Sequence, residues 1–377
     1  MPLRFLHRFV RLAPTGPAQG KGEGMPRRPS PLPPPLGDTF SVRAAREAGV
    51  TGARLRARDL ESPFSGVRRL RKPDEVPQDH DDSPTAACAR VATARLVSTA
   101  HAYGTVMSEE AFFCHVTAAA IWGLPLPLRV LRMESRSSPT GTRGERPIDV
   151  GVRLPRRGPR VSGVRTHRLA GELLSVREVG GRRVTSPATT WAQLAEELTV
   201  DELIIVGDAI VHQPRGRNAI KGAPGSGLAT LDQLAAAATA GRRTGVEKLR
   251  QALPHIRAGS MSPPETQLRL AATRAGLPEP ALDFDVLDPS GAMIGFTELA
   301  YPRWMILIEF EGDHHRVSRA QWDRDIEKHA RCVELGWNVL RFTGRHVYPT
   351  PEPAVARIRA ALVRAGWHPG PEPRIAR

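Results

Sequence analysis

Residues 304–311, WMILIEFE, constrain the fold more than any other stretch of the chain: a near-continuous apolar run ending in two acids. A run this short is how a central strand covered on both faces reads, with its last residues entering a site. Side chains alternate along a strand, so Glu309 and Glu311 share one face. Two further strands, LDFDVLDP and MIGFTELAYP, precede the run, joined by Pro289, Ser290 and Gly291 as a hairpin turn, which sets Glu298 near the end of the second. Upstream, SMSPPETQLRLAATRAG reads as a helix with Ser262 as N-cap, Pro263 or Pro264 in its first position, Glu265 in its first turn and Gly276 closing it. Downstream, a glycine turn with His314 and His315 leads into an amphipathic helix over 318–335, a strand NVLRFT and a closing helix PAVARIRAALVRAGW. The order over 261–367 is α-β-β-β-α-β-α, an α/β fold. Adjacent strands would gather Glu298, Glu309 and Glu311, oxygen ligands of the kind Mg²⁺ or Mn²⁺ prefers. Asp323, Arg324, Asp325, Glu327 and Lys328 read as a salt-bridged helix face instead.

The segments SPPETQL, a strand ending ELAYP, IEFEGDHHR and WDRDIEKHARCVELGWNVLRFT, in that linked order, resemble the very-short-patch-repair endonuclease-like branch of the PD-(D/E)XK nuclease superfamily. The resemblance implies a restriction-endonuclease-like domain over 261–367 that hydrolyses phosphodiesters of DNA with Mg²⁺ or Mn²⁺. It makes Glu265 the helix acid that supports metal or water and Glu298 the counterpart of the family's strand aspartate. Glu309 and Glu311 match the E-x-D or E-x-K pair, and His315, with His314 as the alternative, the histidine that donates to a scissile phosphate or leaving group. The chain departs from the pattern at three places: Glu298 stands where relatives show aspartate, Glu311-Gly312 where they show D-G, and no lysine ends the E-x-K pair. Three readings stay open: an active metal-dependent endonuclease in repair, defence or a toxin-antitoxin setting, a non-catalytic DNA-binding regulator that keeps the nuclease fold, and a structural interaction protein whose charge reflects genome composition.

Upstream of this domain, 377 residues leave room for further compact units. Residues 1–38 end in RRPSPLPPPLGD and read as a basic, proline-rich tail without packed structure, with Met25 as the expected start of translation. Residues 39–72 read as a winged helix-turn-helix: one helix closed by Gly49, a second over 51–60 presenting Arg54, Arg56 and Arg58 to DNA, and a strand-like tail from Phe64 to Leu70. The plainer alternative is a helical cap with a solvated basic face. A polar, proline-punctuated linker follows over 71–85. Residues 86–213 read as a mixed α+β domain with Trp122, Leu124 and Leu126 as core anchors, His115 as a buried structural histidine, and a meander of short antiparallel strands between 148 and 184. A helix pair closes it, and 214–260 read as a linker with helices. With the segment VTSPATTW, this upstream part resembles the AbiEi-type antitoxin or regulator architecture, which implies a toxin partner or a homodimer.

A formal net charge of +15 attracts polyanions, and nucleic acid is the commonest of these. Heavy use of Ala, Arg, Gly and Pro, as in a high-GC genome, gives the same excess, so charge supports a DNA partner without establishing one. Cys88, Cys114 and Cys332 are far apart and odd in number, which argues against a zinc ribbon or a disulfide framework and fits a reducing, cytoplasmic setting. No stretch approaches the roughly 18 apolar residues of a membrane span.

Overall fold

The computed structural model describes residues 29–71, 84–132, 146–213, 227–260, 262–311 and 319–370, and the chain is mixed α/β. Its first unit comprises β1 (Thr39–Ser41), α1 (Val42–Glu47), a 3₁₀ turn at Arg54–Arg56, β2 (Leu60–Glu61) and β3 (Val67–Leu70), with the strands antiparallel in the order β1-β3-β2. Ser41 caps α1 by accepting from the Ala44 backbone N–H at 3.1 Å. The helix expected over 51–60 is one 3₁₀ turn, and Leu60 already belongs to a strand. The cause is local: the Arg54 guanidinium grips Asp59 with two hydrogen bonds, at 2.8 and 2.7 Å, and folds this segment back on itself. Residues 29–38, expected as tail, are packed: Leu32 and Leu36 lie against the cluster of Phe40, Ala45, Leu55 and Leu60. Prolines rule out ladder hydrogen bonds there but not burial of the leucines between them.

The middle unit begins with α2 (Pro84–Gly104), β4 (Phe112–Phe113), α3 (His115–Ile121) and α4 (Leu128–Leu131). It continues through β5 (Ile148–Arg153), β6 (Val164–Leu169), β7 (Val176–Val179), β8 (Arg182–Thr185), α5 (Pro187–Leu194), α6 (Val200–Val211), α7 (Leu231–Thr239) and α8 (Val246–Ala252). Its sheet runs β6-β5-β4-β8-β7. The expected antiparallel meander is a mixed sheet, because β4 runs parallel to β8 while β5 runs parallel to β6. Strand β4 has only two residues, both buried, and comes from a stretch with helical periodicity. The Phe112 ring crosses Gly151 so closely that a Cβ there would stand 2.3 Å from it, so the pairing of β4 with β5 requires glycine. Leu234 and Leu249 are buried in the same core as Trp191, so α7 and α8 complete this unit rather than link it to the next. The first unit leans on it through Phe64, whose ring meets Tyr103 edge-on at 5.0 Å.

The last unit is α9 (Pro263–Arg274), β9 (Ala281–Leu287), β10 (Met293–Tyr301), β11 (Ile306–Phe310), α10 (Arg319–Glu334), β12 (Asn338–Phe342), α11 (Gly344–Val347) and α12 (Glu352–Arg364). Apart from the single turn of α11, this is the expected order of elements. The sheet runs β12-β11-β10-β9, antiparallel except for the β11–β12 pair. One face buries Leu299, Ile306, Ile308 and Phe342 against Leu268 of α9 and Ile358 of α12. The other buries Val286, Ala300 and Leu307 against Cys332 of α10. Strand β11 is therefore covered on both sides, which is why its sequence is apolar without alternation. Helix α9 is fixed to the middle unit by Asp208 of α6, which accepts from Thr266 Oγ1 at 2.8 Å and Arg269 at 2.9 Å.

Candidate active site

Leu299 of β10 faces Ile308 of β11, and one more step of that antiparallel register sets Glu298 opposite Glu309. Directly opposite residues on neighbouring strands share a face. Here it is the face of Ala300 and Leu307, beneath α10. From that helix the Lys328 ammonium reaches down to Glu309 Oε1 at 2.6 Å and donates to the Phe296 carbonyl at 2.6 Å. Gly295 leaves room for the lysine stem, since a Cβ there would stand 2.9 Å from Lys328 Cδ.

Glu265 enters from the first turn of α9, buried, and accepts from Ser262 Oγ at 2.6 Å. The positive end of the helix dipole favours a carboxylate there. Burial, then the negative charges of Glu265 and Glu309, push the Glu298 carboxyl up to about 7. Arg341 of β12 lies level with Glu309 in the parallel ladder, 4.0 Å from Glu309 Oε2, and pairs with Glu311.

The sequence-derived site residues therefore divide. Glu298 feels the charges of Glu265 and Glu309, whereas Glu311 is drawn aside to Arg341 and is more than a third exposed. The carboxylates of Glu298, Glu309 and Glu311 do not form a tight three-donor set. Among the described residues the set whose donor atoms all lie within 4.8 Å is Cys114, His115 and His167 in the middle unit. His315 lies outside the described residues. In the first unit Arg54 braces Asp59, with only 9% of its side chain exposed, while Arg56 and Arg58 face solvent.

Lys328 reads from the sequence as part of a salt-bridged helix face, and the structure turns it inward, to pair with Glu309 of β11. A signal existed: Cys332, one helical turn later, is fully buried, so Lys328 shares its inward stripe. Cys114, His115 and His167 had no such signal, because His167 is far from the other two in sequence and joins them only through β6 beside β5.

No protein-family model matches the chain, and no solved structure matches it. Two proteins of Mycobacterium tuberculosis, from strains CDC 1551 / Oshkosh and ATCC 25618 / H37Rv, are each 28% identical to it over 261 residues, 69% of this chain and 84% of theirs. Both are described only as uncharacterised proteins.

Proposed function

We propose that the chain is a metal-dependent DNA endonuclease whose restriction-endonuclease-like domain, 261–367, hydrolyses phosphodiesters, and that the first unit helps hold DNA through Arg56 and Arg58, which face solvent. The observation that carries this reading is the opposition of Glu298 and Glu309 on adjacent central strands, with Lys328 bonded to Glu309 at 2.6 Å. The donor chemistry fits Mg²⁺ or Mn²⁺. Mg²⁺ keeps several waters and is commonly held by one or two carboxylates plus substrate phosphate, so two opposed glutamates suffice without a third. Burial, with the charges of Glu265 and Glu309 beside it, raises Glu298 to about 7, and a divalent cation would offset both by favouring its charged form.

Glu298 and Glu309 would hold the cation, which supplies Lewis-acid neutralisation of the phosphate and a more acidic water. The remaining work belongs to the chain. Lys328 places a fixed positive charge beside Glu309, where charge develops on the scissile phosphate. Glu265 orients the attacking water, whose oxygen joins phosphorus as the bond to the leaving sugar oxygen breaks. The net charge of +15 favours the approach of DNA.

A second reading has its own support. Glu309 is flanked by Lys328 at one oxygen and Arg341 at the other, an arrangement that also satisfies a partly buried acid with no catalytic duty. Under that reading the protein is a DNA-binding regulator, with the nuclease fold as scaffold. Nicking of supercoiled plasmid with Mg²⁺ or Mn²⁺, with chelator, and with Glu309→Ala separates them. Metal-dependent nicking lost in the variant supports the endonuclease, and binding without nicking under either metal supports the regulator.

A further inference from the structure

The middle unit buries a polar cluster that the nuclease reading does not use. Cys114 ends the segment after β4 and His115 opens α3 with φ of +49°, a left-handed backbone that non-glycine residues rarely adopt. His115 can hold it because its backbone N–H donates to Gln193 Oε1 at 3.0 Å. That conformation lays its ring on His167 of β6, with centroids 3.8 Å apart and planes 20° from parallel. His115 is 3% exposed, and its Nδ1 is buried with no hydrogen-bond partner among the described residues. A buried ring nitrogen without a partner is unfavourable unless something occupies it.

The surroundings select what could occupy it. His167 Nε2 lies 3.0 Å from Asp149 Oδ1, which is fully buried and also held by Arg146 and Arg165. A carboxylate on one ring nitrogen fixes the tautomer and frees the other nitrogen as a ligand, the usual outer support of a metal-binding histidine. Cys114 Sγ and one nitrogen from each ring all lie within 4.8 Å of one another. Around a tetrahedral ion with bonds of about 2.0 Å to nitrogen and 2.3 Å to sulfur, such donors stand about 3.3–3.6 Å apart. Closing the set on one ion takes a side-chain rearrangement that parts the two stacked rings. Because a metal lies in the plane of the imidazole that binds it, occupation would open the stack.

From this arrangement we infer that Cys114, His115 and His167 form a site for a thiophilic divalent cation of the Zn²⁺ type, with Asp149 as the residue that orients His167. The Cys114 S–H proton leaves to solvent as the sulfur–metal bond forms. This site is separate from the carboxylates of the last unit, in its elements and in its soft donors.

Cobalt titration of the full-length, chelator-stripped protein tests the inference. A thiolate-to-Co²⁺ charge-transfer band should grow to saturation at one equivalent, with one proton released. Hard-oxygen sites such as Glu298 and Glu309 give no such band, so failure of the nuclease reading leaves this result untouched. Cys114→Ser should abolish the band, Cys332→Ser should retain it, and His167→Ala should weaken Co²⁺ binding at least 10-fold. Absence of the band in the wild-type chain overturns the inference whether or not the variants fold, as does a band that survives Cys114→Ser.

Discussion

Arg269 of α9 donates to Asp208 of α6 at 2.9 Å, and both side chains are almost wholly buried. Glu265 stands one helical turn before Arg269, so the ion pair that joins the middle and last units also fixes where the Glu265 carboxyl enters the candidate active site. Removing one partner of a buried pair leaves an unpaired charge and costs about 3–5 kcal/mol. Asp208→Ala should lower the unfolding midpoint sharply and separate the transitions of the two units in calorimetry. An unchanged single transition would show that the pair does not couple them.

Glu298 gives the last unit an unusual pH response. In metal-free buffer the folded chain keeps the Glu298 proton up to about pH 7, while the unfolded chain releases it near 4.5. Between those values the folded state binds more protons, so this contribution is complete below the unfolded value and lost as pH rises through the folded one. Each unit of separation is worth about 1.4 kcal/mol. Denaturant unfolding from pH 4.5 to 8 should show that decline, and Glu298→Gln should flatten it.

The middle unit should respond in the opposite sense. His115 titrates at about 3 in the folded chain against 6.5 unfolded, so between these values the unfolded state binds more protons. Stability from this group is complete above pH 6.5 and lost as pH falls towards 3. Asn tolerates the left-handed backbone well, so His115→Asn should shrink the acid loss without forcing a new conformation. A metal-free acid titration followed by circular dichroism checks this, and an identical acid limb in the variant would remove His115 as its cause.

Lys328 should matter to charge more than to shape. Lys328→Met keeps much of the stem beside Gly295 but leaves Glu309 without its nearest cation. On the endonuclease reading, nicking should fall by about 100-fold or more, the scale of losing one stabiliser of transition-state charge. Circular dichroism should report a folded protein. Near-wild-type nicking by folded Lys328→Met would exclude the lysine from the chemistry.

The order of elements in the last unit was legible because its signals are local: a proline-started helix, a hairpin turn and an apolar strand. Lys328 reads as part of a salt-bridged helix face because of its acidic and basic neighbours on α10, and only the depth of Cys332 shows that its partner, Glu309, lies on the inward side. The second helix of the first unit did not form because a local side-chain clasp, Arg54 to Asp59, overrides helical propensity. The mixed sheet of the middle unit depends on two residues, Phe112 and Phe113, too few to carry a period. Contacts made across such pairings, including His115 against His167, cannot be read along the chain.

The central claim is that Glu298 and Glu309, not Glu311, hold the catalytic cation. Its most direct test is the Mn²⁺-dependent nicking rate of supercoiled plasmid for wild type, Glu309→Gln and Glu311→Gln, each shown to be folded. The account predicts that Glu309→Gln abolishes nicking and that Glu311→Gln, which disturbs only an exposed pair with Arg341, retains it within a few-fold. No metal-dependent nicking by the wild type, or equal loss in the two variants, would contradict it.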